Sequence, residues 1–590
     1  MAGNESGTSD VTLVAGSGHD GGAVGYFKGA WAGVCLVALM ACGATGGTSD
    51  GSRTPDDAAP QRVTSGASAV AELAPAASRA AQPNIVVVML DDFSMDLVQT
   101  MRSVQQMRKA GASYPHSFVT DSLCCVSRSS FFTGQYPHQT GVRTNTSNKG
   151  TSKLGGWPAY DTHGNPERAF NVRLQEAGYN TGFVGKFLNE YEWSPGRALP
   201  PVVPGWTTFN TVFGSAYDGW DFASTSLVDQ RLRLVHHPAP PASASDGVKD
   251  KAYAGAVIGD MATDLVTANE AAGAPYFLEV ALYAPHNRTN PEGHYAGDPL
   301  FPPMFRDRTG TRSCGRVACG KLTVDDLPGF ADPRKDNRPR LANGKRARAW
   351  NTTRTLPAAV AVRDLRDRAR MAQSADRLVR RILSSVGPNT YVVLTSDNGF
   401  HLGQNGMGRG KGTPYDTDVR VPLLVTGPGV VPGTRREVTS NIDLAPTFEE
   451  LAGLAPAPNR SGLSLVPTLA DPRLVRQSHA FLEHTQQTLT GNDPDAAFSG
   501  SELDRIPSYT AVRSRTALLA RFDLDPRPGK VTWGYEYYSY KRDRFEKRNT
   551  FANKKRAPEV AALMAKLTAF DGCQEVGDQP VSEACRVVRQ

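Results

Sequence analysis

The stretch Pro83-Asn84-Ile85-Val86-Val87-Val88-Met89-Leu90-Asp91-Asp92 decides the fold class of this chain. An unbroken apolar run, β-branched at its start, leaves no polar face for water, so as a strand it must be covered on both sides. Comparable runs recur at Gly182-Phe183-Val184, Tyr276 to Leu282, Tyr391 to Leu394 and Val421 to Val425. Helical apolar spacing runs from Val360 to Leu383 and from Leu444 to Ala452. Strands alternating with helices predict an α/β fold with a large, mostly parallel mixed sheet flanked by helices. The region from 200 to 350 is rich in Pro, Gly and Arg and reads as loops that shape a substrate cleft. Past residue 460 the pattern changes to short strands around Tyr509 to Arg513 and Trp533 to Tyr540, then a helix from Pro558 to Leu567. That change predicts a smaller C-terminal α+β subdomain.

Composition narrows the class. The chain has 590 residues, 40% of them hydrophobic and 21% charged, which suits a globular catalytic domain with an appendage. Its net charge of +7 is small for this length and forms no basic block. With no zinc-finger or zipper spacing either, nucleic acid is not an expected partner.

The N-terminus reads as an export segment spanning 1–42. Lys28 precedes an apolar run from Ala30 to Ala41 that is too short to cross a bilayer. The run ends Leu39-Met40-Ala41-Cys42, which resembles a bacterial lipobox, whose cysteine is acylated. An ordinary cleaved signal peptide is the alternative. Either way the protein is expected to be exported, secreted or held at the membrane by a lipid on Cys42. Residues 43–82 read as a disordered linker of Gly, Ser, Thr, Ala, Pro and Asp. A catalytic domain over 83–455 and the subdomain over 456–590 complete the expected organisation. In an oxidising compartment, Cys314 with Cys319 and Cys573 with Cys585 read as local disulfides. Neither pair has metal-binding spacing. That leaves the adjacent Cys124 and Cys125.

Functional groups of an open α/β sheet collect at the carboxyl ends of its strands. Leu90 is followed by Asp91-Asp92, and Ser396 by Asp397-Asn398-Gly399. Carboxylates converging at one sheet edge repel unless a cation lies among them, and oxygen-only ligands favour Ca²⁺ or Mg²⁺. Each segment alone would also suit a turn; two together, each closing a buried strand, favour metal. The third element is Cys124-Cys125-Val126-Ser127-Arg128, continuing to Thr133-Gly134. Ser127 to Thr133 with a glycine stop predicts a short helix. Cys124 then lies at its start and Arg128 one turn on, where dipole and guanidinium both stabilise negative charge. A buried structural thiol is the alternative.

Cys-x-x-Ser-Arg with Thr-Gly, an upstream Asp-Asp and a downstream Ser-Asp-Asn-Gly together resemble the type I sulfatase family of the alkaline phosphatase superfamily. The N-acetylglucosamine-6-sulfatase branch is the most similar. Supporting stretches are Gly185-Lys186-Phe187-Leu188-Asn189, Ala284-Pro285-His286, Ser396 to Gln404 and Asn441 to Thr447, in the family's order. The resemblance implies that Cys124 is oxidised to formylglycine by a formylglycine-generating enzyme, and that the aldehyde hydrates to a diol. It implies cation binding by Asp91, Asp92, Asp397, Asn398 and the modified residue 124. Arg128 would hold the modified side chain, and Lys186, His286 and Lys411 would surround the sulfate of a sulfated carbohydrate or aryl sulfate. Two positions depart from the pattern. Val126 stands where the modification signal has Pro or Ala, and Leu188 where many members have a histidine. His138 and His401 are the candidates for that histidine's role. Two rivals stay open: a phosphodiester or phosphonate ester hydrolase, and a silent surface protein that binds sulfated glycans.

Overall fold

The computed structural model describes residues 82–147, 154–308, 313–486, 493–496, 498, 503–525, 527 and 529–590. The expected export segment, Cys42 and nearly all of the expected linker lie outside the described residues. No helix among the described residues is long and apolar enough to cross a membrane.

The main sheet is assembled from β1 (Asn84–Leu90), β2 (Ala112–Ser113), β3 (Asn180–Lys186), β4 (Thr208–Val212), β5 (Phe222–Val228) and β6 (Arg231–His237). It also contains β7 (Tyr276–Ala281), β8 (Thr390–Ser396), β9 (Leu424–Thr426) and β10 (Gly433–Thr434). Its order is β10-β2-β9-β8-β1-β7-β3-β4-β5-β6. Strands β8, β1, β7, β3 and β4 run parallel at its centre. The outer strands β9, β5 and β6 turn antiparallel.

The opening run behaves as its composition requires. Ile85, Val87 and Met89 face one hydrophobic cluster, while Val86, Val88 and Leu90 face another. Successive side chains of a strand point to opposite faces, so β1 anchors both cores at once. Burying each of its aliphatic side chains contributes roughly 1.5–3 kcal/mol, as an upper estimate. Helices α1 (Cys124–Thr133) and α4 (Leu444–Leu451) cover the first face through Phe131 and Phe448. Helices α2 (Ala254–Ala272) and α3 (Ala358–Ser385) cover the second through Ile258, Ala262, Leu365 and Ala369. This is the expected α/β architecture.

A separate antiparallel sheet follows: β11 (His479–His484), β12 (Tyr509–Ser514), β13 (Ala517–Asp523) and β14 (Trp533–Ser539), in that order. Helix α5 (Ala557–Asp571) packs on it, with Phe570 stacked on Phe481 at 4.3 Å between ring centroids. Cys314–Cys319 and Cys573–Cys585 are both disulfide-bonded.

Two expectations need correction. The stretch from 208 to 281 is not loop-rich: it carries four strands of the main sheet and the nineteen-residue α2. Strands β5 and β6 form a hairpin whose turn, Asp229-Gln230, adopts positive φ at both residues (50° and 57°). Such turns favour Asn and Gly, so this one carries no sequence flag. The run at Val421 yields only the three-residue β9, antiparallel to β8. Pro422 offers no N–H to a ladder.

Candidate active site

Four neighbouring parallel strands deliver the cluster. Leu90 pairs with Ser396, while Met89 and Gly185 both pair with Ala281. Strands β8, β1, β7 and β3 therefore end at one level. Asp91 and Asp92 leave β1, Asp397 and Asn398 leave β8, Lys186 ends β3, and His286 follows β7. Gly185 permits this closeness: its φ is +115°, and a Cβ there would lie 1.8 Å from Ala281 O. Asp92 sits in the left-handed region at φ 58°, a conformation an aspartate tolerates better than most residues.

Helix α1 points its N-terminus into the same place. It begins at Cys124 and ends on Gly134, which takes the left-handed C-cap at φ 64° and donates its N–H to Ser130 O. All ten of its residues are buried. Asn145 Oδ1 accepts from Cys125 N at 3.0 Å, and Asn441 Nδ2 donates to Ser127 O at 2.9 Å. These contacts fix the helix start that aims Cys124 at the carboxylates.

Cys124 Sγ lies 3.5 Å from Asp91 Oδ1 and 3.0 Å from Lys411 Nζ. Lys186 Nζ donates to Asp91 Oδ2 at 2.6 Å and sits 5.0 Å from the Tyr217 ring centroid. Arg128 forks: Nε donates to Asp397 Oδ2 at 2.9 Å and a terminal nitrogen to Lys186 O at 2.7 Å. Asp397 Oδ1 accepts from Asp92 N at 3.2 Å and Asn398 N at 2.7 Å. Asn398 Nδ2 and Lys411 Nζ donate to Asp92 Oδ1 at 2.6 and 2.7 Å. His286 Nε2 is 3.6 Å from Asp92 Oδ2 and 3.3 Å from Asp495 Oδ1. Asp91, Asp92, Cys124, Arg128, Lys186, His286, Asp397, Asn398 and Lys411 thus fall into one buried cluster.

The cluster's charges are strongly biased by dryness and by each other. Burial raises the Cys124 thiol well above its ordinary range, and the nearby lysines do not offset it. The unmodified side chain is therefore a neutral thiol, not a thiolate. Burial would lower Lys186, yet Asp91 and then Cys124 outweigh it and raise it. Lys411 is held well above the ordinary lysine range, because Asp495 and Asp92 outweigh burial. Burial would raise Asp397, but Arg128 and the lysines hold it below the usual carboxylate range. His286 is raised: burial would lower it, and Asp92, Asp91 and Asp495 prevail.

The donor set could hold a metal ion. Ligand atoms of Asp91, Asp92, Cys124 and His286 lie within 4.8 Å of one another. Asp92 Oδ2 and Asn398 Oδ1 are buried and accept no hydrogen bond. Buried oxygens left without donors are what an oxygen-liganded cation satisfies.

Sequence reasoning missed several neighbours. Asp495 reaches in from the C-terminal part and pairs with Lys411 and His286. Its Asp-Pro-Asp context reads as a plain turn. Glu279, wholly buried on β7 near Arg128, has no hydrogen-bond partner on either carboxylate oxygen. His138 and His401 lie outside the group of ligand atoms. His138 is engaged by Glu483 at 2.8 Å and His401 by Asp418 at 2.9 Å.

A mostly parallel α/β sheet thus gathers carboxylates, lysines and a cysteine-headed helix at its carboxyl edge. The chain belongs to the sulfatase family, whose model matches residues 83–454. It is 30% identical over 403 residues to the extracellular sulfatase SULF-1 homolog of Drosophila melanogaster, covering 66% of this chain and 32% of that protein. To the human N-acetylglucosamine-6-sulfatase it is 26% identical, covering 70% of this chain and 69% of that one. Against several curated relatives the chain spans a third to just over half of their length. Among solved structures, a protein in complex with its substrate D-glucosamine-2-N,6-O-disulfate superposes with TM-score 0.55 at 19% identity, covering 83% of this chain and 97% of that chain. The phosphonate monoester hydrolase of Silicibacter pomeroyi superposes with TM-score 0.57 at 17% identity, covering 84% and 96%. At such identities these two speak for the fold alone.

Proposed function

We propose that this chain hydrolyses a sulfate ester of a sulfated sugar, of the amino-sugar 6-sulfate type. It would do so with formylglycine made from Cys124 and a divalent cation, Ca²⁺ in preference to Mg²⁺. The observation that carries the reading is Cys124 itself, at a helix N-terminus, 3.5 Å from Asp91 and 3.0 Å from Lys411. Its Sγ stands where the modified side chain's oxygen would lie.

Asp91, Asp92, Asp397 and Asn398 would hold the cation with residue 124. When bound, the hydrated aldehyde supplies the attacking oxygen and the cation withdraws charge from the sulfate. Arg128 keeps Asp397 ionised and turned toward the cluster. Lys186 and Lys411 offer ammonium protons to sulfate oxygens, in a dry site where such charges act strongly. His286 donates from Nδ1 to Asn287 O at 2.8 Å, which leaves Nε2 toward the cluster. A proton on Nε2 can pass to the departing alcohol oxygen; Lys411 is the other acid in reach.

Several finer readings go with this one. The catalytic part would span 83–455, with 456–590 as a C-terminal subdomain. Export, modification by a formylglycine-generating enzyme, and attachment by a lipid at Cys42 complete the picture. The sulfatase names of the relatives and the match to their family support it.

The test is the mass of the Cys124 peptide from the native host, followed by turnover of sulfated sugars, aryl sulfates and aryl phosphodiesters. An aldehyde-mass peptide with sulfate-ester turnover is expected. An intact thiol without turnover would favour the silent glycan binder, for which Val126 speaks. Phosphodiester turnover without sulfate turnover would favour the other hydrolase. Chelation should lower the melting temperature, and Ca²⁺ at 100 times its Kd should restore about 2.7 kcal/mol of stability. An unchanged melting curve would remove the cation from the proposal.

A further inference from the structure

Lys411 and His286 are both held at ion-pair distance by one carboxylate from within the chain. An ammonium carries three protons. Lys411 Nζ lies 2.7 Å from Asp92 Oδ1, 3.0 Å from Cys124 Sγ and 3.1 Å from Asp495 Oδ2. The imidazole has two nitrogens, and His286 places Nδ1 2.8 Å from Asn287 O and Nε2 3.3 Å from Asp495 Oδ1. One carboxylate therefore bridges the two groups assigned above to the sulfate, with one oxygen on each.

Asp495 is wholly buried, so this is no loose surface pairing. Among the described residues its N–H donates to Asp493 Oδ1 at 2.9 Å, its carbonyl accepts from Phe498 N at 3.3 Å, and Asn145 Nδ2 lies 3.5 Å from Oδ2. A second anion brought to Lys411 and His286 beside Asp495 would be repelled in so dry a site. A sulfate that engages Lys411 and His286 must take the place of Asp495.

We propose that Asp495 is an internal anion that exchanges with the sulfate group, holding Lys411 and His286 between turnovers and returning as inorganic sulfate leaves. In the resting state the carboxylate lies between the two side chains, 3.1 Å from Lys411 Nζ and 3.3 Å from His286 Nε2. It then competes with product for them, which speeds release. This inference rests on the sulfatase reading above.

The experiment uses the full chain, metal-loaded and carrying formylglycine, assayed on an aryl sulfate with inorganic sulfate as competing inhibitor. Asp495→Asn keeps the side chain's shape and removes its charge. Its sulfate inhibition constant should fall about ten-fold or more, with a lower KM. Asp495→Ser serves the same purpose should the amide fail to fold. A folded variant whose sulfate inhibition constant is unchanged or higher overturns the proposal and leaves the sulfatase reading standing. A wild-type chain that turns over no sulfate ester removes both.

Discussion

Arg128 satisfies two oxygens at once, Asp397 Oδ2 and Lys186 O. Its planar fork suits two acceptors in different directions, which a single ammonium does not. Arg128→Ala would leave Asp397 buried beside a weakened field and should cost about 3–5 kcal/mol, read by thermal unfolding. Arg128→Lys should recover only part of that. Glu279 makes the opposite case, an acid buried with little to offset it. Burial, opposed by Arg128, pushes its carboxyl from 4.5 up to about 8. A carboxyl with a folded value above its unfolded one binds more protons when folded. Stability must then fall as pH rises between those two values. Glu279→Gln should flatten that decline, so melting temperatures followed from pH 4.5 to 8 should diverge in the variant's favour toward the alkaline end. Parallel curves would show that Glu279 finds a partner. Residue identities such as Cys124 and Arg128 were readable one by one from their motif. Glu279 was not, because a lone acid inside an apolar run carries no sign of what lies across the sheet.

At the scale of elements, the site depends on four strand ends kept at one level. The closest approach is between β3 and β7, where Gly185 leaves no room for a side chain. Gly185→Ala should therefore cost about 3 kcal/mol or more, through the positive φ and the clash with Ala281 O. Activity should fall with stability, since Lys186 is the next residue. Wild-type stability in that variant would mean the strands can part without penalty. Of the central strands, β1, β3, β7 and β8 were legible from their apolar runs, α3, α4 and α5 from helical apolar spacing, and α1 from its glycine stop, whereas β4 fell in a stretch read as loops. The hairpin of β5 and β6 was not. Its outer strand alternates polar and apolar residues at a sheet edge, and its turn uses Asp-Gln instead of Asn-Gly.

The whole molecule joins the two sheets more tightly than a modular division suggests. Arg589, near the C-terminus, forks onto Asp443 at 2.5 and 2.8 Å. Arg460 pairs with Glu449 at 2.7 Å, and Glu536 accepts from Tyr415 at 2.8 Å and Trp350 at 3.1 Å. All of these groups are buried or nearly so. A fragment ending at residue 455 would leave Asp443 inside without Arg589 and Glu449 with Arg173 in place of its pair of arginines, and would lack Asp495. It should fail to give a cooperative melting transition by circular dichroism. A sharp transition from that fragment would establish the catalytic part as independent.

By itself, the sequence determined the class of sheet, the strand ends that carry carboxylates, the cysteine-headed helix and both disulfide pairings. Those features are written in local periodicity and short spacing, which neighbouring residues control. Only the tertiary structure decided which distant groups meet: Asp495 against Lys411 and His286, Arg128 across to Asp397, and His138 and His401 drawn off to other carboxylates. Such contacts, most of them between residues far apart in the chain, follow from how whole layers pack, and no local pattern encodes them.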